Sequence, residues 1–448
     1  MDRQTIVGRF DVPGPRYTSY PTADRFGTGF GPAQALQALQ ARAADPAPLS
    51  LYVHVPFCES VCYYCACNKV VTRQHRLADT YLDALEAEIG LVTDALGRGH
   101  AAVQLHLGGG TPTFLSDAEL ARLMAALRDA FDLRPGAELS IEIDPRTVTP
   151  ARLRVLADLG FNRISFGVQD FDPAVQEAVH RVQPFERVRE LMAVAREIGF
   201  ASINADLIYG LPKQTAESFA RTVARIGALR PDRIAVYAYA HLPERFKPQR
   251  RIAAADLPGA ALRLAMQENA ATGLAAHGYS DIGMDHFALP GDSLAVAQRE
   301  GRLQRNFQGY STQADCDIVA FGVSAIGRVG NTYGQNVKTL PEYYAALEAG
   351  RLPVERGIVL SDDDERRRAL IMALMCHGRA PFGDEDRGHY ADELQRLAPL
   401  VDAGLVALER DLLQVRPSGR RVLRAIAMVF DRHLQHDPGA QARFSGVL

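Results

Sequence analysis

One short segment concentrates the residues that are most able to do chemistry. Four of the chain's six cysteines fall in VPFCESVCYYCACNK, residues 55–69, which we call the cysteine segment. They are Cys58, Cys62, Cys65 and Cys67, with the spacing C-x3-C-x2-C-x-C. Thiols crowded in this way indicate a metal site or reactive thiols. Structural zinc usually takes two separated cysteine pairs, whereas an iron–sulfur cluster takes up to four thiolates. Three thiolates would leave one iron of a [4Fe-4S] cluster open to a ligand.

Composition limits the class of protein. Of 448 residues, 47% are hydrophobic and 23% charged, and the net charge is −3. The N-terminal MDRQTIVGRFDVPGPRY has no apolar core of a secretory signal. No apolar run reaches the roughly 18 residues of a membrane span. We therefore expect a cytoplasmic protein with reduced thiols that binds neither nucleic acid nor membrane.

The elements that must position the cysteines alternate in type. Short β-rich runs are separated by amphipathic helical patterns, and two of these patterns begin at the predicted N-caps Ser116 and Thr215. Strands that alternate with helices favour parallel β/α units. The six runs are LSLYVHVPF, AVQLHLGGG, ELSIEIDP, NRISFGVQDF, ASINADLIYG and DRIAVYAYAH. The pattern predicts an α/β fold with a barrel, open or closed, of six units.

Polar residues and glycines mark the carboxyl ends of all six runs, the face on which β/α barrels carry their active sites. They are His54, Gly108, Gly109, Gly110, Glu142, Gln169, Asp206 and His241. A carboxylate inside a parallel sheet needs partners. The residues alone leave open whether Glu142 meets ligand hydroxyls or an ion pair from a neighbouring strand.

Three domains are predicted. Residues 1–47 form an N-terminal arm, residues 48–360 the catalytic barrel with its C-terminal extension, and residues 361–448 a mostly helical domain. In the last of these, a helix pair precedes GLVALERDLLQVRPSGR, which indicates a hairpin and a winged-helix-like arrangement.

The C-x3-C-x2-C loop after a first strand, with Tyr64 before the third cysteine, resembles the signature of radical S-adenosylmethionine enzymes. The motifs PRYTSYPTADRF, LHLGGGTPTFL, SIEIDPR, GFNRISFGVQDF, DLIYGLPKQT and RNFQGYSTQ extend the likeness to nearly the whole chain. Together they are similar to the oxygen-independent coproporphyrinogen III oxidase family. The family fold is a partial (β/α)6 barrel, in agreement with the alternation above.

The resemblance implies cofactors and residues. Cys58, Cys62 and Cys65 would hold a [4Fe-4S] cluster whose open iron binds S-adenosylmethionine, and two molecules of this cofactor are expected. Positions matching contacts of the first molecule are Tyr52, Gly109, Gly110, Thr111, Glu142 and Ile326. Positions matching contacts of the second are Tyr64, Gln169, Arg181, Asp206 and Ala240. Cys67 lies outside the cluster but is required, and is the predicted catalytic residue.

The implied reaction is oxidative decarboxylation of coproporphyrinogen III to protoporphyrinogen IX by a 5′-deoxyadenosyl radical, two propionates becoming vinyls. A flavodoxin- or ferredoxin-like electron donor, an electron acceptor and a monomeric state are expected. Arg16, Lys69 and Arg73 are candidate cations for the anionic substrate. Two alternatives remain: a haem-binding chaperone related to this family, and a zinc-bearing regulatory protein with a C-terminal winged helix.

Overall fold

The protein is represented by a computed structural model, which describes residues 10, 12–313, 316–437 and 444. Within the predicted N-terminal arm, residues 1–9 and 11 lie outside this described part. The described strands are β1 (Leu49–Val55), β2 (Phe57–Cys58), β3 (Val70–Val71), β4 (His100–Gly109), β5 (Phe131–Ile143), β6 (Arg163–Gln169), β7 (Ser202–Tyr209), β8 (Arg233–Ala238), β9 (Ser280–Gly283), β10 (His286–Ala288), β11 (Gln304–Asn306), β12 (Gly309–Ser311), β13 (Asp317–Phe321), β14 (Ile326–Val329), β15 (Thr332–Asn336), β16 (Val354–Val359), β17 (Arg379–Pro381), β18 (Val406–Leu408) and β19 (Leu412–Val415).

Helices lie between the strands and after them. The described α-helices are α1 (Pro32–Arg42), α2 (Leu77–Leu96), α3 (Asp117–Ala130), α4 (Pro150–Asp158), α5 (Pro173–Ala178), α6 (Phe185–Ile198), α7 (Ala216–Leu229), α8 (Ala260–Ala276), α9 (Ser293–Arg299), α10 (Leu340–Glu348), α11 (Asp362–His377), α12 (Asp384–His389), α13 (Ala391–Asp402), α14 (Leu423–Met428) and α15 (Arg432–His436). Among the residues described, no helix has the length and apolar character needed to cross a bilayer.

Twelve strands form one sheet in the order β16-β15-β14-β13-β1-β4-β5-β6-β7-β8-β10-β9. The six neighbours from β1 to β8 are all parallel. β13 adds a parallel strand beside β1, and β10 an antiparallel strand beside β8. Because β16 and β9 end the sheet at opposite edges, the described strands form an open, partial (β/α)6 barrel, as predicted.

The parallel strands are stabilised by burial on both faces. β1 is buried at six of its seven positions, and α2 packs Tyr81, Leu82 and Leu85 into the same core. The predicted N-caps are confirmed: Ser116 Oγ accepts from the Glu119 N–H at 3.3 Å, and Thr215 Oγ1 from the Ser218 N–H at 3.1 Å. Such caps satisfy backbone donors that a helix start would otherwise leave free.

The chain divides into two compact units. The larger comprises Thr28–Ala295 and Cys316–Gly357 and contains the open barrel. The smaller comprises the described residues of Met1–Gly27, Val296–Asp315 and Ile358–Leu448. The three-domain division at residues 47 and 360 stays a prediction.

The smaller unit contains the predicted C-terminal hairpin. β18 and β19 pair antiparallel, and β17 pairs with β19 on its other side. Helices α11, α12 and α13 precede the hairpin, and Ser361 caps α11 by accepting from the Asp364 N–H at 3.2 Å. The order of helices and strands is winged-helix-like, as predicted.

Candidate active site

The carboxyl ends of the parallel strands and the cysteine segment enclose a cavity of about 290 Å³. All four clustered cysteines line it, as does Lys69. The strands, in their carboxyl-terminal parts and inner positions, contribute Gly109, Glu142, Ser165, Gln169, Asp206 and Tyr237. The cavity therefore lies at the face predicted for an active site.

Two short parallel strands pair with each other where the cysteine segment begins and ends. β2 pairs with β3 through Phe57 opposite Val70 and Cys58 opposite Val71. The Thr72 N–H donates to the Cys58 carbonyl at 2.9 Å. Further along, the Tyr63 N–H donates to the Val179 carbonyl at 3.0 Å. The backbone thus holds the thiols along one wall of the cavity.

The glycines after β4 are required by packing against β1. The Gly110 N–H donates to the Val55 carbonyl at 2.8 Å, and a Cβ on Gly110 would lie 2.6 Å from the Pro56 carbonyl oxygen. Gly109 has φ +114°, and a Cβ there would lie 2.7 Å from the His54 ring. Only glycine fits this approach, which brings the end of β4 against the start of the cysteine segment.

A polar network runs along the inner face of the sheet. His106 Nε2 lies 3.2 Å from Glu142 Oε1 on the neighbouring strand. Asp206 accepts from the Ser165 hydroxyl at 3.0 Å and from the Asn204 amide at 2.9 Å. Glu142 therefore contacts His106 on a neighbouring strand and also lines the cavity, and its contact with ligand hydroxyls stays a prediction.

The two carboxyls of this network differ in their electrostatics. Burial, followed by the nearby charge of Glu142, raises the pKa of Asp206 to about 6. Burial also opposes ionisation of Glu142, but His106 and the Gly109 N–H outweigh it and hold its pKa below the usual range. At neutral pH both side chains can accept hydrogen bonds from a ligand.

A cluster of charged side chains lies around Cys62. The Arg181 guanidinium lies 3.4 Å from Cys62 Sγ and 3.1 Å from Asp144 Oδ2. The Arg146 guanidinium lies 3.5 Å from the same sulfur and 2.6 Å from the same carboxylate oxygen. Although burial opposes ionisation of Asp144, Arg181 and then Arg146 keep its pKa below the usual range. One buried carboxylate thus binds two arginines beside a thiol.

Two buried polar atoms in the cavity wall have no hydrogen-bond partner within the described chain, namely Gln169 Oε1 and Arg181 Nε. Gln169 has φ +66° at the point where the β6–β7 register shifts. Strained backbone and unsatisfied polar groups concentrate at ligand sites. This part of the cavity therefore fits a polar ligand that supplies both a donor and an acceptor.

Residues 52–226 match the Radical SAM superfamily. The chain is 48% identical over 438 residues to the oxygen-independent coproporphyrinogen III oxidase of Pseudomonas aeruginosa, covering 96% of this chain and 95% of that protein. It is 48% identical over 450 residues to the protein of the same name from Escherichia coli K12, covering 99% and 98%. The chain belongs to the oxygen-independent coproporphyrinogen III oxidases.

Structure agrees with sequence on this family. The solved coproporphyrinogen III oxidase of Escherichia coli, a radical SAM enzyme, superposes with a TM-score of 0.90 at 49% identity. The match covers 94% of this chain and 98% of that one. The cofactors of this oxidase family are a [4Fe-4S] cluster and S-adenosylmethionine.

The thiol and polar side chains of the cavity are better suited to binding these cofactors than to binding a single metal ion. Among the described residues, no three His, Cys, Asp or Glu side chains are placed to hold one metal ion together. Structural zinc needs four ligands around one ion, so the geometry gives no support to the zinc-bearing alternative. Thiols spread along a cavity wall are suited to separate irons of a cluster.

Most residues expected from the oxidase family lie around one cavity. Those that line it are Cys58, Cys62, Cys65, Cys67, Tyr64, Gly109, Gly110, Thr111, Glu142, Gln169, Arg181 and Asp206. Tyr52, Ala240 and Ile326 are not part of this wall. Tyr52 stacks on the His106 ring at 5.9 Å, and Ile326 begins β14, paired with Gln335. The cofactor roles of all these residues stay predictions.

Sequence reasoning missed several residues of this oxidase's cavity, chiefly Asp144, Arg146 and Ser165. A signal was present for Asp144, since it alternates with Glu142 in SIEIDPR and so shares its strand face. Of the substrate-cation candidates, Lys69 lines the cavity, whereas Arg73 is an exposed residue outside its wall. Arg16 belongs to the smaller unit.

Proposed function

We propose that this chain converts coproporphyrinogen III to protoporphyrinogen IX without oxygen, by oxidative decarboxylation of two propionates to vinyls in porphyrin and haem biosynthesis. The proposal rests on the relatives that are named for this activity, which are 48% identical to this chain over nearly its whole length. The cysteine-lined cavity at the carboxyl face of the barrel supports it.

Different residues around the cavity are proposed to bind the cluster and each of the two S-adenosylmethionine molecules. Cys58, Cys62 and Cys65 hold the [4Fe-4S] cluster. The first S-adenosylmethionine is held by Tyr52, Gly109, Gly110, Thr111, Glu142 and Ile326. A second molecule is held by Tyr64, Gln169, Arg181, Asp206 and Ala240. The unpartnered atoms of Gln169 and Arg181 support a polar ligand in that second position.

When bound, these cofactors supply the one-electron radical chemistry that amino-acid side chains lack. The protein's own residues orient and enclose the reacting groups. Cys67 lines the cavity beside them. Lys69 provides a cation toward the substrate carboxylates, and the sheet and cysteine segment exclude bulk water.

The proposal extends to cellular context. The enzyme acts as a cytoplasmic monomer and receives electrons from a flavodoxin- or ferredoxin-like donor, passing electrons from the substrate to a separate acceptor. It binds neither nucleic acid nor membrane.

Metal analysis after anaerobic purification separates this function from its alternatives. Iron and sulfide in about a four-to-four ratio, with little zinc, are expected. A titration with haem in the same preparation tests the chaperone alternative. Stoichiometric zinc, or tight haem binding without any turnover of coproporphyrinogen, would reject the proposal.

A further inference from the structure

Cys62 differs from the other proposed cluster ligands in its surroundings. Its sulfur lies 3.4 Å from an Arg181 nitrogen and 3.5 Å from an Arg146 nitrogen. The Cys58 sulfur, by contrast, lies 3.6 Å from the neutral Thr111 hydroxyl, and the cation beside Cys65 is a lysine, Lys69. Two charged donors therefore converge on one of the three thiols.

The charges around this sulfur do not cancel. Asp144 accepts from Arg146 Nε at 3.0 Å and Nη2 at 2.6 Å, and from Arg181 Nη1 at 3.1 Å. Asp144 and Arg181 are only 7% and 6% exposed. Two guanidinium groups and one carboxylate leave a net positive charge next to Cys62, screened little by water.

Reduction places negative charge at this location. One electron, taken from a low-potential one-electron donor, converts an oxidised [4Fe-4S]²⁺ cluster to the [4Fe-4S]⁺ state, with no bond formed or broken. The added negative charge is delocalised onto the thiolate sulfurs. Hydrogen bonds to those sulfurs and nearby positive charge stabilise the reduced state and raise the reduction potential.

We propose that Arg146 and Asp144 set the reduction potential of the cluster through Cys62: the arginine raises it, and the carboxylate lowers it. Arg146 is a tuning residue, not a catalytic one. It is the clearer of the two arginines to test, because Arg181 also donates to the Gly167 carbonyl and belongs to the proposed second cofactor site. This inference rests on the proposed assignment of Cys62 as a cluster ligand.

The charge pair allows a test in which two variants move in opposite directions. R146Q removes the positive charge, whereas D144N keeps the side-chain shape and removes the opposing negative charge. R146K keeps the charge at position 146. R122Q is the matched control, because Arg122 pairs with Asp83 and Glu86 on α2, away from the cavity.

The measurement is an anaerobic redox titration of each reconstituted protein with dithionite, followed by the electron paramagnetic resonance signal of the reduced cluster. S-adenosylmethionine and substrate are omitted, so the readout is independent of turnover. For R146Q we expect the equilibrium constant for reduction to fall about tenfold, which lowers the potential by about 59 mV for one electron. D144N should raise the reduction potential, and the potentials of R146K and R122Q should remain near that of the wild type.

The outcomes separate this inference from the proposed function. A wild-type protein that assembles no [4Fe-4S] cluster would reject both. A normal wild-type cluster whose potential is unchanged in R146Q and D144N, or moves in the same direction in both, would overturn the tuning role alone. If R146Q does not retain a cluster, D144N decides: an upward shift supports the inference, and an unchanged potential overturns it.

Discussion

Gln249 donates its side-chain amide to the backbone carbonyl of Tyr64 at 3.0 Å. The same nitrogen donates to the Ala240 carbonyl at 3.1 Å. Gln249 is only 1% exposed, and it joins the cysteine segment to the chain that follows β8. Tyr64 and Ala240 are both proposed contacts of the second S-adenosylmethionine, so a residue outside the predicted set connects two of its positions.

Replacing Gln249 with leucine should weaken that second site and spare the cluster. Two half-buried carbonyls lose their donor, at a cost of about 1–3 kcal/mol, or roughly tenfold or more in affinity. Anaerobic equilibrium dialysis with labelled cofactor, beside an iron assay, measures both effects. Q37L, on the exposed side of α1, is the control and should behave like the wild type. Two tightly bound cofactors in Q249L would remove Gln249 from this role.

Serine at any one of Cys58, Cys62 or Cys65 should abolish the cluster, because each is proposed to supply one iron with its thiolate. C67S should retain it. The absorbance near about 400 nm after anaerobic reconstitution reports thiolate-ligated iron–sulfur clusters. Loss of iron from C67S as complete as from C62S would show that Cys67 is a ligand and contradict the open-iron assignment.

Binding of the second cofactor should depend on pH through Asp206. Because the pKa of Asp206 is raised to about 6, its carboxyl is protonated below that pH and gains its full acceptor capacity above it. Affinity should therefore rise between about pH 5 and 7. D206N should remove this dependence, and D206A should bind about one cofactor where the wild type binds two, with normal iron. A wild-type affinity that does not change across this range would contradict the role of Asp206.

Alanine at Gly110 should damage the site through packing. The new Cβ would meet the Pro56 and Phe57 backbone within 2.7 Å, and overpacking of this kind costs about 1–3 kcal/mol. The free energy of unfolding, measured in urea, and the cluster content of the protein should both fall. G90A is the matched control, since nothing lies within 4 Å of its Cβ in α2; it should gain about 0.5–1 kcal/mol instead. Equal stability of the two variants would contradict the packing account.

The central strands and the position of the site could be predicted from the sequence. Period-two and helical patterns are local, and parallel strands place their carboxyl ends on one face, so Glu142, Gln169 and Asp206 were expected together. Resemblance then supplied the cysteine roles. The location of the cavity and many of its lining residues could therefore be predicted from local sequence patterns, without knowledge of tertiary contacts.

The residues that organise the site could not be found in this way. Arg146 is 84 positions from Cys62, and Gln249 is 185 positions from Tyr64, so no local pattern links them. The glycine run was expected to let a ligand approach, but Gly109 and Gly110 are required first by the close packing of β4 against His54 and Pro56. Such contacts depend on side-chain packing between distant segments.

The most direct test is anaerobic turnover of coproporphyrinogen III by the reconstituted protein with S-adenosylmethionine and a low-potential reductant. We predict protoporphyrinogen IX, with two molecules of CO2 released per substrate, formed only when cluster, cofactor and reductant are all present. C62S should form none. A wild-type protein with a full [4Fe-4S] complement that binds S-adenosylmethionine but leaves coproporphyrinogen III unchanged would contradict the account.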